Sequence, residues 1–224
     1  MTNKKRGVFI TQEGPDGSGK STNHGFLVDL LRGHGFNVVS TREPGGTQIA
    51  EEIRAMLLCP SIEKMDAKTE LLLFAAARAQ HLANKIKPHL DEGFVVISDR
   101  FSDSTVAYQG HGRDLLNDVQ ILEEFVHRGF YPDHTLFFDI PFEECLNRLR
   151  KRTDKQDRID QEEVNFKHRV WNGYQVQYNA NPQRMVRIDA LPDIEIVRRQ
   201  ITQWVDEVFI PKYNHLRFVT TMGK

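Results

Sequence analysis

The chain has 224 residues, 39% hydrophobic and 27% charged, a size and balance that exclude a disordered or fibrous protein and fit one large globular domain with its own core. Lys plus Arg number 30 against 31 Asp plus Glu, a net charge of -1, so the basic excess of a protein that lives on a nucleic-acid polymer is missing. Small-molecule chemistry is the class that remains. The two cysteines, Cys59 and Cys145, are too few for a disulfide scaffold or a Cys-based zinc site and fit a reducing, cytoplasmic setting. The apolar run Val8 to Ile10 after the basic start is too short for a signal-peptide core. No stretch approaches the ~20 apolar residues of a membrane span.

Val8–Thr11 is the first predicted strand. Gly14-Pro15-Asp16-Gly17-Ser18-Gly19-Lys20-Ser21 follows it and opens a predicted helix, Ser21–Gly33. This octet fits G-x-x-x-x-G-K-[ST] in the strand-to-helix context that the motif needs. Its glycines let backbone N–H groups face phosphate oxygens, and the helix N-terminus adds its dipole. Lys20 is placed to reach the outer phosphates and Ser21 to ligate Mg2+. A chance match in a chain of this composition is on the order of 1%. The motif implies binding of a nucleoside triphosphate, and by itself does not separate a kinase from an NTPase switch.

Asn37–Thr41 is the second strand. The loop Thr41-Arg42-Glu43-Pro44-Gly45-Gly46-Thr47 leads into a helix over Thr47–Leu58, with Thr47 as N-cap. A long helix is predicted over Asp66–Asp91. On it Phe74 and Arg78 lie four apart and share a face, where a ring and a guanidinium can together read a base. On spacing alone the plainer reading leads, with Phe74 in the core and Arg78 reaching out to solvent. Alanines 75, 76, 77, 79 and 83 allow close helix contact.

Phe94–Ser98 is the third strand. Asp99-Arg100 stands at its carboxyl end, the edge that faces the ligand crevice in open α/β sheets. Asp99 can hold Mg2+ or orient an attacking oxygen there, and Arg100 can fork onto a phosphate; an ion pair at a strand end is the alternative. Ser104–Gly110 reads as a loop with hydroxyl and amide groups suited to a polar ligand. A helix over Leu115–His127 and a strand over Thr135–Asp139 follow. Then come helices over Pro141–Lys151 and Asp160–Asn179, a strand over Met185–Asp189 and a helix over Pro192–Phe209, with Pro141 and Pro192 read as first-turn positions. The charged stretch Asn147–Glu163 carries Arg148, Arg150, Lys151, Arg152 and Arg158. Arginines on a closing lid can neutralise a moving phosphoryl group and exclude water; a solvated helix face is the bland reading. Five short apolar strands alternating with helices predict a doubly wound, five-stranded parallel α/β sheet, in a single domain over 1–224.

In this order, Glu13-Gly14 at the cradle, Thr41–Thr47, Phe74–Arg78, Asp99-Arg100-Phe101, Ser104–Gly110 and a lid ending Asp157-Arg158-Ile159 resemble the thymidylate (dTMP) kinase family, from about Gly7 to Phe209. Arg-Glu-Pro-Gly-Gly-Thr and Tyr-Gln-Gly are the distinctive pieces. The resemblance implies a P-loop kinase fold with a lid over about 147–163, a homodimer, and transfer of the ATP γ-phosphoryl to dTMP with Mg2+. It implies Phe74 as the base-stacking ring, Arg78 as reader of the thymine carbonyls and Arg100 as ligand of the dTMP phosphate. It implies further that Asp16 takes the sugar 3′-hydroxyl, that Tyr108 crowds the 2′ position, that Thr105 and Gln109 lie near the base, and that Pro44 walls the pocket. Some family members carry an arginine in the cradle where this chain has Gly17; here the lid supplies it, by Arg152 first and Arg150 second. The segment from Asn214 to Lys224 lies beyond the matched part, a disordered or surface-packed end. Two rivals stand beside this reading: another nucleoside or nucleotide kinase, and a nucleotide switch without acceptor chemistry.

Overall fold

The computed structural model describes residues 5–60, 63–153 and 157–217. Five parallel strands, β1 (Val8–Glu13), β2 (Val38–Arg42), β3 (Val95–Asp99), β4 (His134–Asp139) and β5 (Met185–Asp189), form one sheet in the order β2-β3-β1-β4-β5. Each predicted strand is present, with ends shifted by at most two residues. Their alternation explains why they read as continuous apolar runs. Val8, Ile10, Val95, Ile97, Leu136 and Phe138 point to one buried face, while Phe9, Val96 and Phe137 point to the other. Both faces are covered, so both sets of side chains are apolar, and buried polar groups such as Gln12, Glu13 and Ser98 stand toward the carboxyl ends of the strands.

One face is covered by α1 (Lys20–Gly33), through Leu27, Val28 and Leu31, and by α9 (Ile194–Trp204), through Val197, Ile201 and Trp204. The other carries α3 (Ala67–His81) with its continuation α4 (Lys87–Asp91), and α8 (Val164–Ala180). Helices α2 (Gln48–Leu58), α6 (Leu116–His127) and α7 (Phe142–Lys151) complete the frame with two single turns, α5 (Ser102–Thr105) and α10 (Ile210–Tyr213). Thr47 caps α2 by accepting from Ala50 N at 3.4 Å, and Asp66 caps α3 by accepting from Lys68 N at 2.9 Å.

Four expectations are corrected. The helix predicted over Asp66–Asp91 widens into a π turn at Leu82–Ile86, and the last predicted helix does the same at Val205–Phe209. Each π turn ends two residues before a proline, Pro88 or Pro211. A proline has no N–H to donate and its ring crowds the carbonyl four residues back, and a widened turn relieves both. Second, Pro141 is the N-cap of α7 and Pro192 precedes the Asp193 cap of α9, so neither sits in a first turn.

Third, Ser102–Gly112 is helical, as α5 followed by a π turn over Val106–Gly112, where the sequence reads as a loop. Its glycines and hydroxyls give poor local propensity. Packing supplies the order: Ala107 and Tyr108 bury against Phe166, Val170 and Tyr174 of α8. Gly112 is required there, because a Cβ would lie 2.7 Å from the Phe166 ring. Fourth, α8 begins at Val164 rather than Asp160. Residues 157–162 form a turn in which Asp157 accepts from Ile159 N and Asp160 N, both at 2.8 Å. Beyond α10, Asn214–Leu216 forms a 3-10 turn and Arg217 bridges to Phe36, so this part of the end packs on the surface; residues 218–224 lie outside the described residues.

Candidate active site

The sheet order puts the carboxyl ends of β1, β2 and β3 side by side, with Gln12, Arg42 and Asp99 in register. Everything that leaves those ends converges on one cavity of about 620 Å³, well within the size of small-molecule sites. Asp16, Gly17, Gly19, Lys20 and Ser21 line it from the cradle, and Pro44, Phe74, Arg78, Arg100, Thr105, Tyr108 and Gln109 line it from the opposite side. Gly14, Pro15 and Ser18 lie behind this wall, where Gly14 O and Pro15 O accept from Lys20 Nζ at 2.7 and 2.9 Å and Ser18 Oγ at 3.3 Å. Burial, then the nearby Arg100, brings the Lys20 ammonium down to about 8. It is a desolvated cation held by neutral carbonyls, a state that an anion in the cradle relieves.

Gly17 has φ 83, and a Cβ there would lie 2.9 Å from the carbonyl oxygen of Cys145. An arginine at that place is therefore excluded in this frame by the close approach of α7. Ser21 Oγ donates to Asp99 Oδ2 at 2.8 Å, while Asp99 Oδ1 is buried with no hydrogen-bond partner.

Arg100 sits between the two halves. Its φ of 73 lies in the left-handed region, a strained state for a residue with a Cβ. The strain is held by Arg100 N donating to Gln12 O at 3.0 Å and by Ser98 Oγ donating to Arg100 O at 2.7 Å. The guanidinium then donates to Asp16 Oδ1 at 2.5 Å and to Tyr174 OH at 2.9 Å. Asp16 also accepts from Tyr108 OH at 2.6 Å. Burial opposes the Asp16 charge, but Arg100 and Lys20 outweigh it and hold its pKa below the ordinary value.

Phe74 is half-buried and faces the cavity, so it is not simply core. Nor does Arg78 reach out to solvent. It is 3% exposed, donates to Glu43 Oε2 at 2.8 Å and Thr105 Oγ1 at 2.7 Å, and lies over the Phe101 ring at 5.0 Å. Glu43 also takes His81 Nδ1 at 3.0 Å, just before a cis Glu43-Pro44 bond. Burial opposes the Glu43 charge, and Arg78 with His81 overcomes it, so the carboxylate stays ionised. Gln109 does not turn its amide nitrogen to the cavity; it donates to Glu70 Oε1 at 2.8 Å.

In the lid, Arg152 lines the cavity, and its Nη1 donates to Asp160 Oδ1 at 3.3 Å. Arg148 lines it as well, braced by Glu144 and by the Ala190 carbonyl. Arg150 is exposed and is not among the lining residues. Arg158 turns away, bonded to Leu57 O at 2.9 Å.

Sequence reasoning missed four contributors. Arg42 and Arg54 line the cavity, and Arg54 is fixed by donating to Pro44 O at 2.8 Å. Glu13 accepts from Phe101 N at 2.7 Å and Ser104 Oγ at 2.6 Å, and Tyr174 OH reaches it at 3.2 Å, so the two brace the Arg100 turn. Burial, then Asp103, pushes the Glu13 carboxyl up to about 7. The only local signal for Arg54 is its place on the first helix after the Gly-rich loop.

Seven cations line the cavity (Lys20, Arg42, Arg54, Arg78, Arg100, Arg148 and Arg152) against five carboxylates (Asp16, Glu43, Asp99, Asp157 and Asp160). In a chain of net charge -1, that concentration marks a site for phosphates. The thymidylate kinase family model matches residues 12–201. A thymidylate kinase of Pseudomonas putida is 51% identical over 196 residues, 87% of this chain and 93% of its own length. Another, from Pseudomonas savastanoi pv. phaseolicola, is 47% identical over 212 residues, 94% of this chain and 98% of its own. Similarity of this extent, on top of the cradle and the residues opposite it, identifies the chain as a member of the thymidylate kinase family.

Proposed function

We infer that this chain transfers the γ-phosphoryl group of ATP to dTMP, giving dTDP. The observation that carries the reading is continuity: the cradle and the Phe74–Arg78 face open into one cavity with Arg100 between them. A switch protein needs the cradle alone. A second, cation-rich half with an aromatic wall is what an acceptor nucleotide requires.

The ATP phosphates lie over Gly14–Ser21, where Lys20 exchanges its carbonyl partners for phosphate oxygens. The thymine stacks on Phe74 beside Pro44 and is read by Arg78, which Glu43 and Thr105 hold in place, and Gln109 closes the wall near the base. Asp16 receives the 3′-hydroxyl, and the buried Tyr108 ring leaves little room for a 2′-hydroxyl. Arg100 and Arg54 hold the acceptor phosphate. Its second pKa is ~6, so it is largely dianionic at neutral pH and needs no strong general base. An acceptor oxygen attacks the γ-phosphorus in line, the bond to the β-phosphate oxygen breaks, and ADP leaves. Catalysis is positioning plus neutralisation by Lys20, Arg100 and Arg152. The residues present fit Mg2+: Asp99 Oδ1 is an unpartnered buried carboxylate oxygen beside the Ser21 hydroxyl, a hard-oxygen pair such as Mg2+ takes together with nucleotide phosphates. Ser21 and Asp99 would hold the ion, which supplies further neutralisation of the phosphate charge.

The test is an acceptor panel with ATP. The expected order places dTMP above the other deoxynucleoside monophosphates and above thymidine, with dTDP as product. Preferred phosphorylation of thymidine or dGMP, or hydrolysis of ATP indifferent to dTMP, overturns the reading. Base stacking is worth ~1–3 kcal/mol, so Phe74→Ala is expected to raise the KM for dTMP about 5- to 150-fold; a KM unchanged within twofold removes Phe74 from the base site.

The reading extends to one P-loop kinase domain with its lid over about 147–163, working in the cytoplasm as a homodimer. Support for the setting comes from two unpaired cysteines, Cys59 and Cys145. Among the described residues no helix is long and apolar enough to cross a membrane. Support for the dimer comes from the outer side of α3, of the π turn that continues it, and of α6. There Leu72, Ala76, Ala79 and Ala83 are exposed at helical spacing, and Ile121 and Phe125 are 69% and 73% exposed. Exposed apolar side chains in that number suit a second copy of the chain. Sedimentation should give twice the chain mass for the wild type and a monomer for Phe125→Glu; a monomeric wild type at micromolar concentration refutes the dimer.

A further inference from the structure

The buried carboxylate of Glu70 belongs to none of the steps above. It lies one helical turn before Phe74 and two before Arg78, on the same face of α3, yet it does not line the cavity. It is 1% exposed. Arg113 donates to it from Nε at 3.1 Å and Nη2 at 2.9 Å, Gln109 Nε2 donates to it at 2.8 Å, and Arg158 Nη2 pairs with it ionically at 2.7 Å without hydrogen-bond alignment. Arg113 also holds Glu162 at 2.5 Å. The arms come from three places: α3, the turn after Gly112, and the Asp157–Glu162 turn of the lid. Burial opposes the Glu70 charge, and Arg113 and Gln109 outweigh it, so the carboxylate stays ionised.

Two carboxylates and two guanidiniums neutralise one another here. A quartet of this kind contributes little net stability over an apolar cluster, and its short contacts tie the segments that carry it to one another. What it places is specific. Arg158 also clamps the end of α2, with its N on Leu58 O at 3.2 Å and its Nε on Leu57 O at 2.9 Å. The same short turn carries Asp160, which holds Arg152 at 3.3 Å. Gln109 belongs to the acceptor wall.

We propose that Glu70 is a positioning residue that couples the acceptor wall to the lid, so that dTMP on the Phe74–Gln109 side fixes the turn that aims Arg152. The proposal rests on the assignment of the acceptor half given above. It makes lid order a consequence of acceptor binding: dTMP steadies Gln109, Gln109 steadies Glu70, and Glu70 steadies Arg158 and, through Arg113, Glu162.

The test is hydrogen exchange of peptides covering 157–163, with and without dTMP and no ATP, on wild type and Arg158→Ala. In that variant Glu70 keeps Arg113 and Gln109, so the carboxylate is not left unpaired. In wild type dTMP should slow exchange of the turn, and in Arg158→Ala that protection should vanish while dTMP still protects α3. The kcat of the variant should fall about tenfold with the KM for dTMP within about threefold, the size of a typical coupling between sites. Arg158→Lys should restore part of it. Glu162→Gln, which touches only the Arg113 arm, should act in the same direction and serves if Arg158→Ala does not fold. Undiminished dTMP protection of the turn in the variants, or no such protection in wild type, overturns the proposal. Failure of dTMP to bind wild type at all overturns the acceptor assignment instead.

Discussion

Lys20→Ala should lower kcat for dTDP formation by about 10³-fold or more while the protein remains folded. Lys20 is the one lysine of the cavity, 5% exposed and fixed by two backbone carbonyls and a hydroxyl. Those partners are neutral dipoles. They keep the ammonium at the cradle without cancelling its charge, and because phosphate oxygens replace them when ATP binds, the cation is already in place when negative charge builds on the γ-phosphoryl oxygens. Alanine removes a cation that is worth most in the transition state, so the loss belongs in kcat rather than in the affinity for ATP alone. The fold should survive, because the sheet and α1 bury their apolar faces independently of this side chain. The measurements are a dTDP assay and a thermal unfolding curve on the same preparation. A kcat within tenfold of wild type refutes the assigned role.

Arg152→Ala should lower kcat by about 10²- to 10³-fold, and Arg150→Ala by less than about twofold. The two differ by two residues and one spatial fact: Arg152 lines the cavity and Arg150 is exposed outside it. Asp160 holds the Arg152 guanidinium at 3.3 Å, so Asp160→Ala should reproduce a smaller part of the same loss through misplacement. Moving the arginine into the cradle is not an alternative in this chain, since Gly17 has φ 83 and its Cβ position meets the Cys145 carbonyl at 2.9 Å. Single-turnover measurements with saturating ATP and dTMP would separate the chemical step from release. Equal and full activity in both arginine variants would remove the lid from catalysis.

Part of this arrangement was legible from short-range pattern. The five strands show because both faces of a parallel sheet are buried, which forces runs such as Val95–Ile97 to be apolar throughout. The cradle shows because its requirements fall on eight consecutive residues. Thr47 shows because a cap acts within three residues of itself. Shorter-range rules failed where packing overrode them. The Ser102–Gly112 segment is helical because α8 covers it, although its own residues favour a loop. The two π turns answer prolines that local propensity alone would place inside a helix.

The roles of the charged residues lay beyond that reach. Spacing put Phe74 and Arg78 on one face, but could not tell a solvent-seeking arginine from a buried one, because the partner that decides it, Glu43, is 35 residues away. Gln109 pairs with Glu70 across 39 residues, and Arg100 meets Asp16 across 84. Periodicity carries information over one or two turns of helix and no further. Contacts of that separation follow from the strand order β2-β3-β1-β4-β5, which gathers the carboxyl ends of distant segments around one cavity. The linear chain therefore determined the framework and the cradle. Burial and long-range pairing, which exist once the sheet has closed, decided which arginines face phosphate and which hold the walls.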